Sequence, residues 1–161
     1  MDASPGYFVD TSAASEQTAC PAGSYQMISA ATSCFQASPG FHVPSEGSDS
    51  QLQCDSGTYS SQQGQENCTP ASAGFFVDGV QQTSQSPCQP GQFQDSPGQE
   101  TCLDAHPGHF TDEEGAAEQD PCEAGTYQPE PGQTSCILAD PGYYSTSGAT
   151  SQTQCANGTY S

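Results

Sequence analysis

The chain has 161 residues, of which only 32% are hydrophobic; Trp is absent, and Gln, Ser, Thr, Gly and Pro fill the places where a packed domain carries Leu, Ile and Val. Nineteen acidic residues face no Lys and no Arg, a formal net charge of −19, which excludes nucleic acid as a partner because phosphate binding needs basic side chains to displace counterions. Such a composition alone reads as disordered, but nine strictly spaced cysteines reverse the reading, since covalent staples can replace a missing core.

Taken in chain order, residues 3–36 set a pattern. Ala3, Gly6, Tyr7-Phe8 and Gln17 are followed by Cys20-Pro-Ala-Gly23-Ser-Tyr25 and Cys34. Residues 37–70 repeat it with Ala37, Gly40, Phe41 and Gln51, then Cys54, Gly57, Tyr59 and Cys68. Residues 71–104 carry Ala71, Gly74, Phe75-Phe76 and Gln85, then Cys88, Gly91, Phe93 and Cys102. Residues 105–138 carry Ala105, Gly108, Phe110 and Gln119, then Cys122, Gly125, Tyr127 and Cys136. A fifth copy, 139–161, opens with Ala139, Gly142, Tyr143-Tyr144, Gln152 and Cys155 and is cut off at Ser161. The period is 34 residues, with C-x13-C in each full copy, and it identifies a tandem repeat.

A 17-residue period lies beneath it. The lead glycines from Gly6 to Gly142 advance by 17, Gly158 follows at 16, and each of the seven glycines from Gly47 to Gly148 outside that series follows a lead glycine by five to seven. Two bends per 17-residue unit are expected from glycines at fixed slots. Thirteen of the 14 aromatic residues sit one or two places after a lead glycine, Phe35 being the exception, so the rings belong to the scaffold rather than to a binding box. Where stapled units have their two cysteines, the alternate units have Ala and Gln, which suggests one ancestral module duplicated into a stapled and an unstapled form. Pro and Gly interrupt every stretch before a helical period develops, so each unit is expected to form a short strand, a turn and a returning strand. The expected fold class is a small disulfide-rich, β/irregular chain: an elongated array of hairpin modules.

The motifs Cys20-Pro-Ala-Gly-Ser-Tyr25, Cys54-Asp-Ser-Gly-Thr-Tyr59, Cys88-Gln-Pro-Gly-Gln-Phe93 and Cys122-Glu-Ala-Gly-Thr-Tyr127 resemble the ephrin-receptor-like cysteine-rich repeat. They are also similar to the first half-module of tumour-necrosis-factor-receptor repeats. The resemblance spans essentially the whole chain and implies an extracellular array of small disulfide modules, as in receptor ectodomains, adhesion proteins and surface filaments. That family usually carries further cysteines between such units, and the alternate units here have none.

Repeat symmetry leaves two pairings, one local across x13 and one across the longer alternate unit. The bends inside each x13 loop and the resemblance both favour the local one: Cys20 with Cys34, Cys54 with Cys68, Cys88 with Cys102 and Cys122 with Cys136. Each such bridge contributes up to about 3 kcal/mol in a chain-entropy picture. Cys155 is then left unpaired by truncation.

Cysteines at this density point to an oxidising compartment, and hence to a secreted or surface-exposed location. No apolar run approaches the roughly 20 residues of a membrane span, and no basic, apolar leader follows Met1. The segment is therefore not expected to insert into a membrane, and a secretion signal is expected upstream of Met1.

Other chemistries find little footing. Zinc needs close pairs such as C-x-x-C, which are absent, so no metal site and no cofactor are expected. His106 and His109 form a pair three apart, and His109 takes the place of an aromatic ring. An active site is a single-copy constellation, whereas these features recur, so no catalytic residue is assigned. The acidic group Asp112, Glu113, Glu114, Glu118 and Asp120 lacks the alternating ligands of a calcium loop and reads as a solvated turn with weak divalent-cation binding. Asn67-Cys-Thr69 and Asn157-Gly-Thr159 are N-glycosylation acceptor triplets containing the chain's two asparagines, and the abundant Ser, Thr and Pro suit O-linked sugars.

The expected role is mechanical: a non-catalytic spacer, as a stalk or surface-fibre segment, whose first partners are neighbouring repeats of the same longer chain. The alternative is a ligand-binding ectodomain segment of a receptor or adhesion protein, with protein or glycan ligands or lateral self-association. An enzyme or calcium-dependent adhesin would rest on the acidic group alone.

Overall fold

The computed structural model describes residues 2–10 and 16–156. All regular structure among the described residues is β, in two-residue strands paired as nine antiparallel hairpins. In residues 2–71 these are β1 (Tyr7–Phe8) with β2 (Thr18–Ala19), β3 (Ser24–Tyr25) with β4 (Phe35–Gln36), β5 (Phe41–His42) with β6 (Leu52–Gln53), and β7 (Thr58–Tyr59) with β8 (Thr69–Pro70). The remainder are β9 (Phe75–Phe76) with β10 (Ser86–Pro87), β11 (Gln92–Phe93) with β12 (Leu103–Asp104), β13 (His109–Phe110) with β14 (Asp120–Pro121), β15 (Thr126–Tyr127) with β16 (Ile137–Leu138), and β17 (Tyr143–Tyr144) with β18 (Thr153–Gln154). The alternate units thus make the same hairpin as the stapled ones. No helix among the described residues is long and apolar enough to cross a membrane.

The chain divides into two compact units. One contains residues 1–71 and 77–85, the other 72–76 and 86–161. Each 34-residue block from 37–70 to 105–138 holds one alternate and one stapled hairpin.

A two-residue strand pair cannot stand alone in water. Here consecutive hairpins supply the missing partners through the backbone. In the first unit Gly6 N–H donates to Gln26 O at 2.7 Å, Gly23 to Val43 O at 2.8 Å and Gly40 to Ser60 O at 2.8 Å. In the second, Gly74 donates to Gln94 O at 2.7 Å, Gly91 to Thr111 O at 2.8 Å and Gly108 to Gln128 O at 2.7 Å. A second rung runs alongside, as in Val9 N–H to Ala31 O and Gln94 N–H to Ala116 O. The ladder therefore connects hairpins rather than long strands.

The lead glycines also touch the hairpin after next. A side chain on Gly23 would overlap the carbonyl of Gly64, and one on Gly91 that of Gly132. Among the described residues, each unit from Gly23 onward has its two expected bends, but the second does not depend on residue type. Ala30 (φ 58°) and Gln81 (φ 60°) adopt the left-handed conformation seven places after Gly23 and Gly74. Gly79, five after Gly74, lies outside that slot. Gln81 takes it instead, donating its N–H to Cys54 O as Gly47 does to Cys20 O.

The core is thin. Its buried side chains are mainly Ala3, Ala37, Ala71, Ala105, the first cysteine of each stapled hairpin, Val9, Val43, Val77 and Phe93. Small residues are required here because the backbones of neighbouring hairpins approach within hydrogen-bonding distance.

Candidate functional site

In both kinds of hairpin the segment ahead of the lead-glycine turn is tied to the loop at or next to the start of the returning strand, and the two kinds of tie alternate. In stapled hairpins the closure is covalent: Cys20–Cys34, Cys54–Cys68, Cys88–Cys102 and Cys122–Cys136 are bonded, with Cα atoms 5.7–5.8 Å apart. Four such bridges are a feature of proteins from oxidising compartments, as secreted and extracellular proteins are. Cys155 is free.

In alternate hairpins the glutamine at the second cysteine slot reaches across the same gap. Gln17 Oε1 accepts from Ser4 N–H at 2.8 Å, Gln51 Oε1 from Ser38 N–H at 2.8 Å, and Gln119 Oε1 from His106 N–H at 2.7 Å. Gln152 Oε1 accepts from Asp140 N–H at 2.6 Å. The Ala-Gln substitution legible in the sequence is thus a hydrogen-bonded clasp in place of a disulfide. Replacing Gln51 by Leu keeps the bulk and removes the acceptor, so urea unfolding should show a loss of about 1 kcal/mol.

A second set of glutamines is not evident from the sequence pattern. Gln26, Gln94 and Gln128 lie three after a lead glycine and are almost fully buried. Each Nε2 donates to the carbonyl seven residues on (Ser33, Thr101, Ser135), and each Oε1 accepts from the N–H two residues on (Ile28, Ser96, Glu130). One side chain satisfies both sides of the stapled loop. The available signal was their recurrence at one slot in three of the four stapled hairpins, with Ser60 in the fourth, where the first three alternate units have Val9, Val43 and Val77.

The aromatic rings are scaffold in part. Tyr25 and Phe35 pair across one hairpin with ring centroids 6.0 Å apart, and Tyr7 and Phe75 lie against the second-bend glycines Gly47 and Gly115. Phe35 remains half-exposed, as do Leu52, Leu103 and Ile137, while Leu138 is 76% exposed. Four of these five lie on the returning strands β4, β12 and β16 of stapled hairpins.

His106 and His109 do not converge. His106 packs edge-on against Phe93, and its Nδ1 meets Gln119 Nε2 at 2.6 Å, whereas His109 Nδ1 lies 3.4 Å from Pro107 O. Asp112, Glu113, Glu118 and Asp120 line a depression of about 310 Å³ with Thr111 and Ala116, and Glu114 is not among its walls. If this depression is a generic acidic surface, calcium and sodium chloride at matched ionic strength should raise the thermal midpoint equally. A saturable calcium isotherm at micromolar concentration, lost in Glu113→Gln/Glu118→Gln, would contradict that.

Asn67 and Thr69 of the first sequon are exposed, with the bridged Cys68 between them. Asn157 lies outside the described residues. The chain matches no model of a known protein family and no curated protein.

Proposed function

We propose that this chain is a non-catalytic spacer array, a stalk or surface-fibre segment of an extracellular or cell-surface protein. One observation carries the reading. Within each compact unit, the lead-glycine N–H of a hairpin bonds to the next hairpin at a constant sequence step, for example Gly6 to Gln26 and Gly23 to Val43. A block therefore brings its own attachments and can be added or removed as a unit, which suits a part whose job is to set a distance.

The resemblance to ephrin-receptor-like repeats agrees with an extracellular setting, and glycans at Asn67 and on exposed Ser and Thr would solvate and protect such a segment. The charge of −19 keeps neighbouring copies apart and soluble. A second reading, a ligand-binding ectodomain, is favoured by the exposed apolar residues Phe35, Leu103, Ile137 and Leu138.

The two are separable. Arrays of three, four and five 34-residue blocks, placed between a membrane anchor and a fluorescent reporter, should move the reporter away from a membrane dye in equal steps. A reporter distance independent of block number would sink the spacer reading. A soluble protein or glycan bound saturably, and lost on Phe35→Ser or Leu138→Ser, would establish the receptor reading.

A further inference from the structure

His42 breaks the repeat. Two residues after the lead glycine, the other alternate hairpins carry Phe8, Phe76, Phe110 and Tyr144. A ring in this slot lies beside the disulfide of the following hairpin: Phe8 shares a cavity wall with Cys34, and Phe110 with Cys136. His42 presents a nitrogen there, its Nδ1 standing 3.1 Å from Cys68 Sγ. Together with Cys54 Sγ these atoms all lie within 4.8 Å of one another, the one such group of three potential metal ligands among the described residues.

We propose that, once the Cys54–Cys68 bridge is reduced, Cys54, Cys68 and His42 form a Cys2His site for a zinc ion. Thiolate and imidazole are zinc's preferred donors, at about 2.3 Å and 2.0–2.1 Å, and three protein ligands leave a fourth tetrahedral position for water. Calcium and magnesium, which demand oxygen ligands, are excluded by the same donor set. The spacings x11 and x13 explain why the sequence shows no zinc motif: the ligands come from two consecutive hairpins.

Two of the three ligands are held by backbone bonds separate from the bridge. Cys54 N–H donates to Gly40 O at 2.9 Å, Cys54 O accepts from Gln81 N–H at 2.9 Å, and His42 sits on β5 in register with Leu52. The Cα atoms of Cys54 and Cys68, 5.7 Å apart, allow their sulfurs to separate by side-chain rotation to the roughly 3.8 Å of a tetrahedral site.

The chemistry balances with a dithiol as reductant. Two electrons from the dithiol cleave the S–S bond, its two protons pass to the Cys54 and Cys68 sulfurs, and it closes to its own cyclic disulfide. Zinc then displaces both thiol protons to solvent, while neutral His42 donates the Nδ1 lone pair. Where Phe8 and Phe110 stand, the bridge of the following hairpin offers two sulfurs and no third ligand.

The test uses the full chain, reduced with a dithiol, freed of reductant under nitrogen and titrated with cobalt(II) as a visible stand-in for zinc. The wild type should take up one tight equivalent with a thiolate-to-cobalt charge-transfer band, and His42→Phe, which installs the residue of the neighbouring repeats, should bind at least about tenfold more weakly. Equal affinities in the two proteins would overturn the proposal. Should His42→Phe fail to form its four bridges on reoxidation, Phe8→His decides: a second tight equivalent supports the site geometry, and an unchanged stoichiometry refutes it. Cys155 and the thiols of the other three bridges are common to all variants and cancel.

Discussion

Replacing Gly74 by Ala should destabilise the second compact unit by at least about 4 kcal/mol, the range reached only by severe backbone or core disruption. Gly74 has φ +83°, and a Cβ there would overlap the carbonyl carbon and oxygen of Gly115, two hairpins away. Both atoms are backbone, so neither can swing aside. Gly125 is the control: its φ is +89° and its N–H donates to Ser145 O, but none of the described residues comes within 4 Å of an added Cβ. Gly125→Ala should therefore cost only the left-handed penalty of about 1–2 kcal/mol. The difference between the two, read from urea unfolding, isolates the contact between alternate layers of the stack. Similar losses at both sites would mean that hairpin n and hairpin n+2 do not touch.

Removing a staple should be the next largest effect. Cys88→Ala/Cys102→Ala opens a loop of sequence separation 14 and should lower stability by about 3 kcal/mol. The informative comparison is Cys88→Ala/Cys102→Gln, which writes the alternate closure into a stapled hairpin. If the introduced glutamine accepts from Gln89 N–H as Gln119 does from His106, about 1 kcal/mol should return. No recovery would show that the clasp depends on other features of the alternate hairpin.

The repeat was legible because its parts obey local rules. Glycine at Gly6, Gly23 and their successors, aromatic residues just beyond, and Cys or Ala-Gln at the open end define the hairpin unit and its absence of helix. What the sequence could not give is the stacking. Separations of 20, 22 and 27 residues between bonded backbone groups leave no mark on side-chain chemistry, because the bonds use N–H and C=O that every unit possesses. For the same reason Ala30 and Gln81 in the second bend carry no signal of their own: their conformation is imposed by the layer beside them and not chosen by their own preference. The buried Gln26, Gln94 and Gln128 were hidden by composition, since glutamine in a chain this rich in it reads as surface. His42 was hidden by its neighbour Phe41, which already satisfied the aromatic slot.

The central claim is that stapled and alternate hairpins are one scaffold with interchangeable closures. The most direct test is to write the staple where the clasp now stands, with Ala37→Cys/Gln51→Cys between the native Cys20–Cys34 and Cys54–Cys68 pairs. Because the chain lacks Lys and Arg, non-reducing peptide maps require an acid-specific protease. The expected map shows a new bridge joining positions 37 and 51 with all four native bridges intact, and a stability gain of up to about 3 kcal/mol. Free thiols at 37 and 51, or their capture by Cys34 or Cys54, would contradict the account.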